Sequence, residues 1–152
     1  MGTQPVVGCR NSVITPHPGE AARLLGVGIK DIQADRPTAV RALARKFNTV
    51  CVLKGSGSLI ADADADADAD GRLALCNHGH PAMATAGLGD VLAGLIGALM
   101  AQHLTPFDAA CLAVWLHASA GQKVGESGRG LAASDIIPAI RQLLEELQPC
   151  LI

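Results

Sequence analysis

The run Thr49-Val50-Cys51-Val52-Leu53, ended by Lys54 and Gly55, is the stretch that most limits what this chain can become. It is rich in β-branched residues, lacks a polar face and is cut off by a glycine. It therefore reads as a central strand, buried within a sheet. Such a strand needs helices packed over it, and the flanking sequence offers them. Pro18 to Leu25 reads as a short helix with proline near its start and Gly26 past its end. Residues 37–47 carry Val40, Leu43, Ala44 and Phe47 at helical spacing. Further helices are expected from Asp90 to about Gln102, from Pro106 to about Gly125, and from near Ser134. The last carries Ile136, Ile137, Ile140, Leu143, Leu144 and Leu147. Short strands are expected at Ser12–Thr15, Ser58–Ala61 and Arg72–Cys76, the last two forming a hairpin-like excursion. Roughly four strands against about five helices indicate an α/β layered fold with too few strands for a free-standing doubly wound sheet. The expectation is one partial domain over residues 1–152.

The core must be built almost without aromatics, since only Trp115, Phe47 and Phe107 are present and tyrosine is absent. A 49% hydrophobic content rich in Leu, Ile, Val and Ala suits helices on a sheet. The same scarcity argues against single-stranded nucleic-acid binding, which relies on aromatic stacking platforms. The formal net charge is −2, yet five of the fourteen acids lie in the alternating run Ala61 to Asp70. The remaining balance is mildly positive, which fits an anionic small ligand and is too weak for DNA. As a strand the run would place five like charges on one face, so residues 61–70 are expected to form a solvated acidic loop. Five widely spaced cysteines without a C-x-x-C pair read as reduced thiols of a cytoplasmic protein. No signal-peptide pattern opens the chain. Its longest apolar run, Val91 to Ala101, is about half the length of a membrane span, so no membrane association is expected.

Four segments combine the residue types that chemistry requires. Gly87-Leu88-Gly89-Asp90 precedes an apolar helix, where glycines let amides turn toward a ligand and the helix end adds positive partial charge. An acid there suits a base that takes a proton from a hydroxyl attacking phosphorus. It equally suits a plain Asp N-cap. Lys54-Gly55-Ser56-Gly57-Ser58 follows the buried strand, where open α/β sheets bind ligands, and reads as a phosphate or ribose cradle or an ordinary turn. In Thr15-Pro16-His17-Pro18-Gly19-Glu20 two prolines fix the backbone around His17, with Glu20 a turn further on. Asn77-His78-Gly79-His80-Pro81-Ala82-Met83 is polar and turn-rich, and its histidine spacing is weak evidence for a metal. His103 and His117 read as packing or surface positions on helices.

The order of VITPHPGEAARLLG, VCVLKGSGSLIAD, the stretch from Asn77 to Gly121 and GLAASD resembles the ADP- or ATP-dependent NAD(P)H-hydrate dehydratases, a carbohydrate-kinase-like family. The resemblance runs from about Ser12 to the last helix and covers roughly the second half of the family domain. It implies a ribokinase-like fold and phosphoryl transfer from ADP or ATP to the hydroxyl of hydrated NADH or NADPH. Loss of phosphate then restores the reduced dinucleotide. Two alternatives stay open: a small-molecule kinase of the ribokinase superfamily, or a truncated nucleotide-binding remnant without turnover. On that basis His17 and Asp90 would meet the hydrated dinucleotide, with Asp90 as the base. Lys54, Gly55, Ser56, Gly57, Ser58, Gly87 and Gly89 would hold the nucleotide. Glu20 would help organise Mg²⁺ indirectly. His80 stands where the family usually carries Asn, and Leu88 where it carries a small hydroxyl residue. With half the family domain unmatched, an open apolar sheet edge is expected, and with it self-association into a homo-oligomer, a partner chain such as the missing N-terminal half, or low stability.

Overall fold

The computed structural model describes residues 11–63, 71–128 and 130–147. Four strands form one sheet in the order β1 (Val13–Ile14), β2 (Val50–Leu53), β3 (Ser58–Ala61) and β4 (Leu73–Cys76). β1 pairs parallel with β2, with Val13 opposite Val50 and Ile14 opposite Cys51. Three helices make the crossover between them: α1 (Pro18–Leu25), α2 (Ile29–Ala34) and α3 (Arg36–Phe47). β2, β3 and β4 then run antiparallel, with Leu53 opposite Leu59 and Ser58 opposite Cys76. Three longer helices follow, α4 (Leu88–Ala101), α5 (Pro106–Gly125) and α6 (Ala133–Leu147), with a 3₁₀ turn at Pro81–Met83 before them.

The period of two along the strands divides the core between the two faces. Val50, Val52, Ile60 and Cys76 pack with Leu92, Ile96, Leu99 and Phe107 of α4 and α5. Cys51, Leu53, Leu59 and Ala61 pack with Ala21, Ile32, Val40 and Leu43 of α1 to α3. All four β2 residues are buried, so the strand without a polar face is sandwiched between helices as expected. α6 completes a third cluster, in which Ile136 and Ile140 meet Leu88 and Leu116. Ile137, Leu144 and Leu147 of α6 remain exposed.

Some of these expectations need correction. The expected helices do not include α2, because six residues with one buried position, Ile32, are too short to show a period. His103 lies beyond the end of α4, in a left-handed conformation with φ +69°, and not on a helix. Ala61 closes β3 as expected, and Asp62, just beyond it, is tied to Arg72. There Arg72 Nε lies 2.7 Å from Asp62 Oδ2, and the Arg72 backbone N–H donates to Oδ1 at 3.1 Å. Residues 64–70 of that run lie outside the described residues.

Candidate phosphate-binding site

The parallel pairing of β1 and β2 puts their carboxyl ends side by side, and two of the motifs meet there. The N–H of Lys54 donates to the carbonyl of Pro16 at 2.9 Å, extending the pairing up to His17. His17 is the N-cap of α1, with backbone φ −80° and ψ 167°. Its Nδ1 accepts from the N–H groups of Gly19 at 3.0 Å and Glu20 at 3.2 Å. An accepting Nδ1 leaves the ring proton on Nε2, which lies 3.5 Å from Glu20 Oε1. Glu20 Oε2 accepts the His17 backbone N–H at 2.7 Å, closing a capping box. That bond, helped by the nearby Lys54, holds the Glu20 carboxyl below the usual glutamate range. The fixed histidine is therefore also a helix cap, a dual use that proline spacing alone did not reveal.

Lys54 links this corner to the glycine loop. Its Nζ lies 3.9 Å from Glu20 Oε2, and a Cβ placed on Gly89 would come within 3.2 Å of the same nitrogen. The ammonium thus sits over the first turn of α4. The helix begins at Leu88, with Gly87 as a left-handed N-cap at φ +87°. Asp90 is consequently the third helical residue, not the cap, because Gly87 supplies the turn that a capping side chain would otherwise stabilise. The N–H groups of Leu88 and Gly89 have no acceptor among the described residues, as expected at an open helix start. His117 on α5 fixes this start from below: its Nε2 lies 3.0 Å from the Leu88 carbonyl. A carbonyl can only accept, so Nε2 carries the proton. Burial lowers the His117 pKa and favours the neutral ring.

The loop between β2 and β3 forms the next wall. Gly55 and Gly57 adopt φ +147° and +73°, conformations open to glycine. The N–H groups of Gly55, Ser56 and Gly57 have no acceptor among the described residues. Opposite them runs the segment from Asn77 to Thr85. It is seated on α5 because Gly121 and Gly125 leave room: a Cβ on Gly121 would be 2.8 Å from Met83 Cγ, and one on Gly125 would be 2.6 Å from His80 Cγ. His80 Nδ1 accepts the Ala82 N–H at 3.2 Å, a cap that an asparagine oxygen could equally make. Among the described residues no cluster of three or more His, Cys, Asp or Glu side chains could hold a metal.

Together these walls enclose a cavity of about 630 Å³, within the range of small-molecule sites. It is lined by His17, Lys54 to Ser58, His78, His80, Leu88, Gly89 and His117, among others. Glu20 faces a neighbouring hollow with Ile14, Pro16 and Arg23. Gly87 and Asp90 are not in the cavity wall; Asp90 is exposed and follows the lining residue Gly89 in the chain. His117, read from the sequence as a packing or surface position on a helix, is buried on α5 and also lines the cavity, which the sequence did not indicate. Sequence reasoning missed Arg36, three of whose hydrogen bonds go to the distant carbonyls of Leu53, Lys54 and Gly57.

A family model described as NAD(P)H-hydrate dehydratase matches residues 7–142. The chain is 45% identical over 139 residues to the ADP-dependent (S)-NAD(P)H-hydrate dehydratase of Neisseria meningitidis, covering 90% of this chain and 45% of that protein. The solved ADP/ATP-dependent NAD(P)H-hydrate dehydratase from Bacillus subtilis, co-crystallised with ATP and Mg²⁺, superposes with a TM-score of 0.79 at 29% identity. That match covers 90% of this chain and 48% of the Bacillus one. A ribokinase-like superfamily protein from Enterococcus faecalis matches with a TM-score of 0.75 at 28% identity, covering 90% of this chain and 45% of that one. The chain therefore spans less than half the length of each of these proteins.

Proposed function

The chain belongs to the NAD(P)H-hydrate dehydratase family, and from that premise we propose that its cavity binds the phosphates of ADP or ATP for the repair of hydrated NADH or NADPH. The observation that carries this reading is the position of Lys54. A cation over the positive end of α4, with the amides of Leu88, Gly89 and Gly55 to Gly57 unpaired beside it, gathers like partial charges at one spot. An anion entering between them relieves that repulsion and satisfies the amides, which is the physics of phosphate binding. Lys54, Gly55, Ser56, Gly57, Ser58 and Gly89 then contact the nucleotide, and Gly87 sets the turn that presents them.

In the proposed reaction a hydroxyl of the hydrated ring attacks the terminal phosphorus, and Asp90 takes its proton. The new O–P bond forms as the bond from that phosphorus to the bridging oxygen breaks, and AMP leaves from ADP or ADP from ATP. The ring C–O bond then breaks with phosphate leaving, and loss of a proton from the adjacent carbon restores the double bond. His17, with its proton on Nε2, offers the dinucleotide a hydrogen bond. Mg²⁺ arriving with the nucleotide would supply charge neutralisation at the phosphates and would ask for only one or two protein carboxylates. Glu20, which faces the neighbouring hollow and already accepts the His17 N–H, would support the ion only indirectly. A cytoplasmic setting fits the free thiols of Cys51, Cys76 and Cys111.

A second reading, nucleotide binding without turnover by this chain alone, is favoured by the exposure of Asp90 outside the cavity wall. One experiment separates the two. The chain is incubated with hydrated NADH, Mg²⁺ and ADP or ATP, and the reduced-nicotinamide absorbance is followed. Its recovery supports repair. Nucleotide binding by calorimetry without recovery supports the second reading, and no binding removes both.

A further inference from the structure

The 54–58 loop owes its shape to a residue on the opposite side of it. Arg36, the first residue of α3, directs its guanidinium under the loop. Its Nη2 donates to the carbonyls of Gly57 at 3.0 Å, Leu53 at 3.2 Å and Lys54 at 3.4 Å. Its Nη1 donates to Gln33 Oε1 at 3.1 Å. The guanidinium is part-buried, and none of the described carboxylates pairs with it. Three backbone oxygens share this cation. A Cβ on Gly55 would lie 2.9 Å from Arg36 Nη1, so the loop backbone rests directly on the guanidinium.

The consequence follows from peptide geometry. In a trans peptide the C=O and the following N–H point in opposite directions. Drawing the Lys54 carbonyl toward Arg36 turns the Gly55 N–H the other way, toward the cavity that Gly55 lines. The Gly57 carbonyl, held the same way, cannot swing into the cavity and present an oxygen to an anion. The Lys54 N–H is already taken by Pro16, so both ends of the loop are fixed.

We propose that Arg36 is the positioning residue of the 54–58 loop: by holding the Leu53, Lys54 and Gly57 carbonyls beneath it, Arg36 orients the loop amides and Lys54 for the phosphates of the nucleotide. This rests on the reading of the cavity as a nucleotide site. Arg36 does not touch the ligand; it acts through the loop. A lysine would keep the charge but lose the planar fork that spans several oxygens.

The test compares wild type with Arg36→Lys and Arg36→Gln, using ADP with Mg²⁺ in calorimetry and the backbone NMR shifts of Gly55, Ser56 and Gly57 without ligand. Thermal unfolding controls for folding, and Arg36→Lys carries the test if Arg36→Gln does not fold. The expected result is moved loop shifts in both variants and ADP binding weakened by about tenfold or more, the effect of losing one or two charge-assisted hydrogen bonds. Ethylguanidinium, but not ethylammonium, at equal ionic strength should partly restore ADP binding to Arg36→Gln. Unmoved shifts, or wild-type affinity in a folded variant, overturn the role of Arg36 and leave the nucleotide reading intact. A wild-type chain that binds no ADP overturns the nucleotide reading itself, and the proposal with it.

Discussion

At the scale of single residues, the site depends on a few charges whose positions are set by backbone partners. Lys54→Ala removes the cation over α4, and adenine-nucleotide affinity should fall by about tenfold, measured by calorimetry. If the chain carries out the proposed repair, Asp90→Ala should abolish that turnover while leaving nucleotide affinity within a few-fold; normal turnover by that variant would remove the proposed role of Asp90 as base. Two groups predict separable pH effects. Burial lowers the folded pKa of His117, so the folded state holds fewer protons there than the unfolded state near the ordinary value of about 6.5. Its contribution is complete above that value and is lost as pH falls toward the folded pKa. The melting temperature should decline in that window, and His117→Phe should flatten the decline. Glu20 is also depressed, chiefly by its bond to the His17 N–H. Its stabilisation of α1 is lost only as pH falls below the ordinary glutamate value of about 4.3. The motifs around His17, Lys54 and Gly89 were legible in the sequence because each couples glycine or proline with a polar group. Arg36 and His117 were not, since an arginine and a histidine on helices carry no local sign of what they will meet.

At the scale of elements, boundaries followed from caps and breakers. Pro18 and Gly26 bracket α1, and Asp35 caps α3 by accepting the Thr38 N–H at 3.0 Å. The start of α4 was misplaced by two residues because a left-handed glycine cap leaves no side-chain signature. Seating of the Asn77–Thr85 wall depends on α5. There a methyl on Gly125 would stand 3.0 Å from His80 Cβ and closer to the ring. Gly125→Ala should therefore destabilise the fold by about 1–3 kcal/mol, the usual cost of overpacking, read by urea unfolding. The same change should weaken nucleotide binding, because His80 and Met83 line the cavity.

At the scale of the whole molecule, the sheet is incompletely covered. β4 is an edge strand that leaves Leu75 at 65% exposure and Leu73 at 37%, both on the face that α1 to α3 cover elsewhere. Apolar edges of this kind promote association. Sedimentation should show concentration-dependent self-association of the chain, and Leu75→Lys should reduce it without lowering the melting temperature by more than a few degrees. A monomer at all concentrations would remove the expectation of a second copy against this edge.

The sequence by itself determined the layered α/β architecture, because a strand without a polar face has to lie between helices. It also determined which short polar segments end the strands, since glycine and proline punctuation is local. Only the tertiary structure decided how those segments converge. Parallel pairing of β1 with β2 brought His17 to Lys54, Lys54 reached across to the start of α4, and Arg36 turned the loop from behind. Each of these contacts joins residues far apart in the chain, and a geometry set by packing leaves no periodic trace in the sequence.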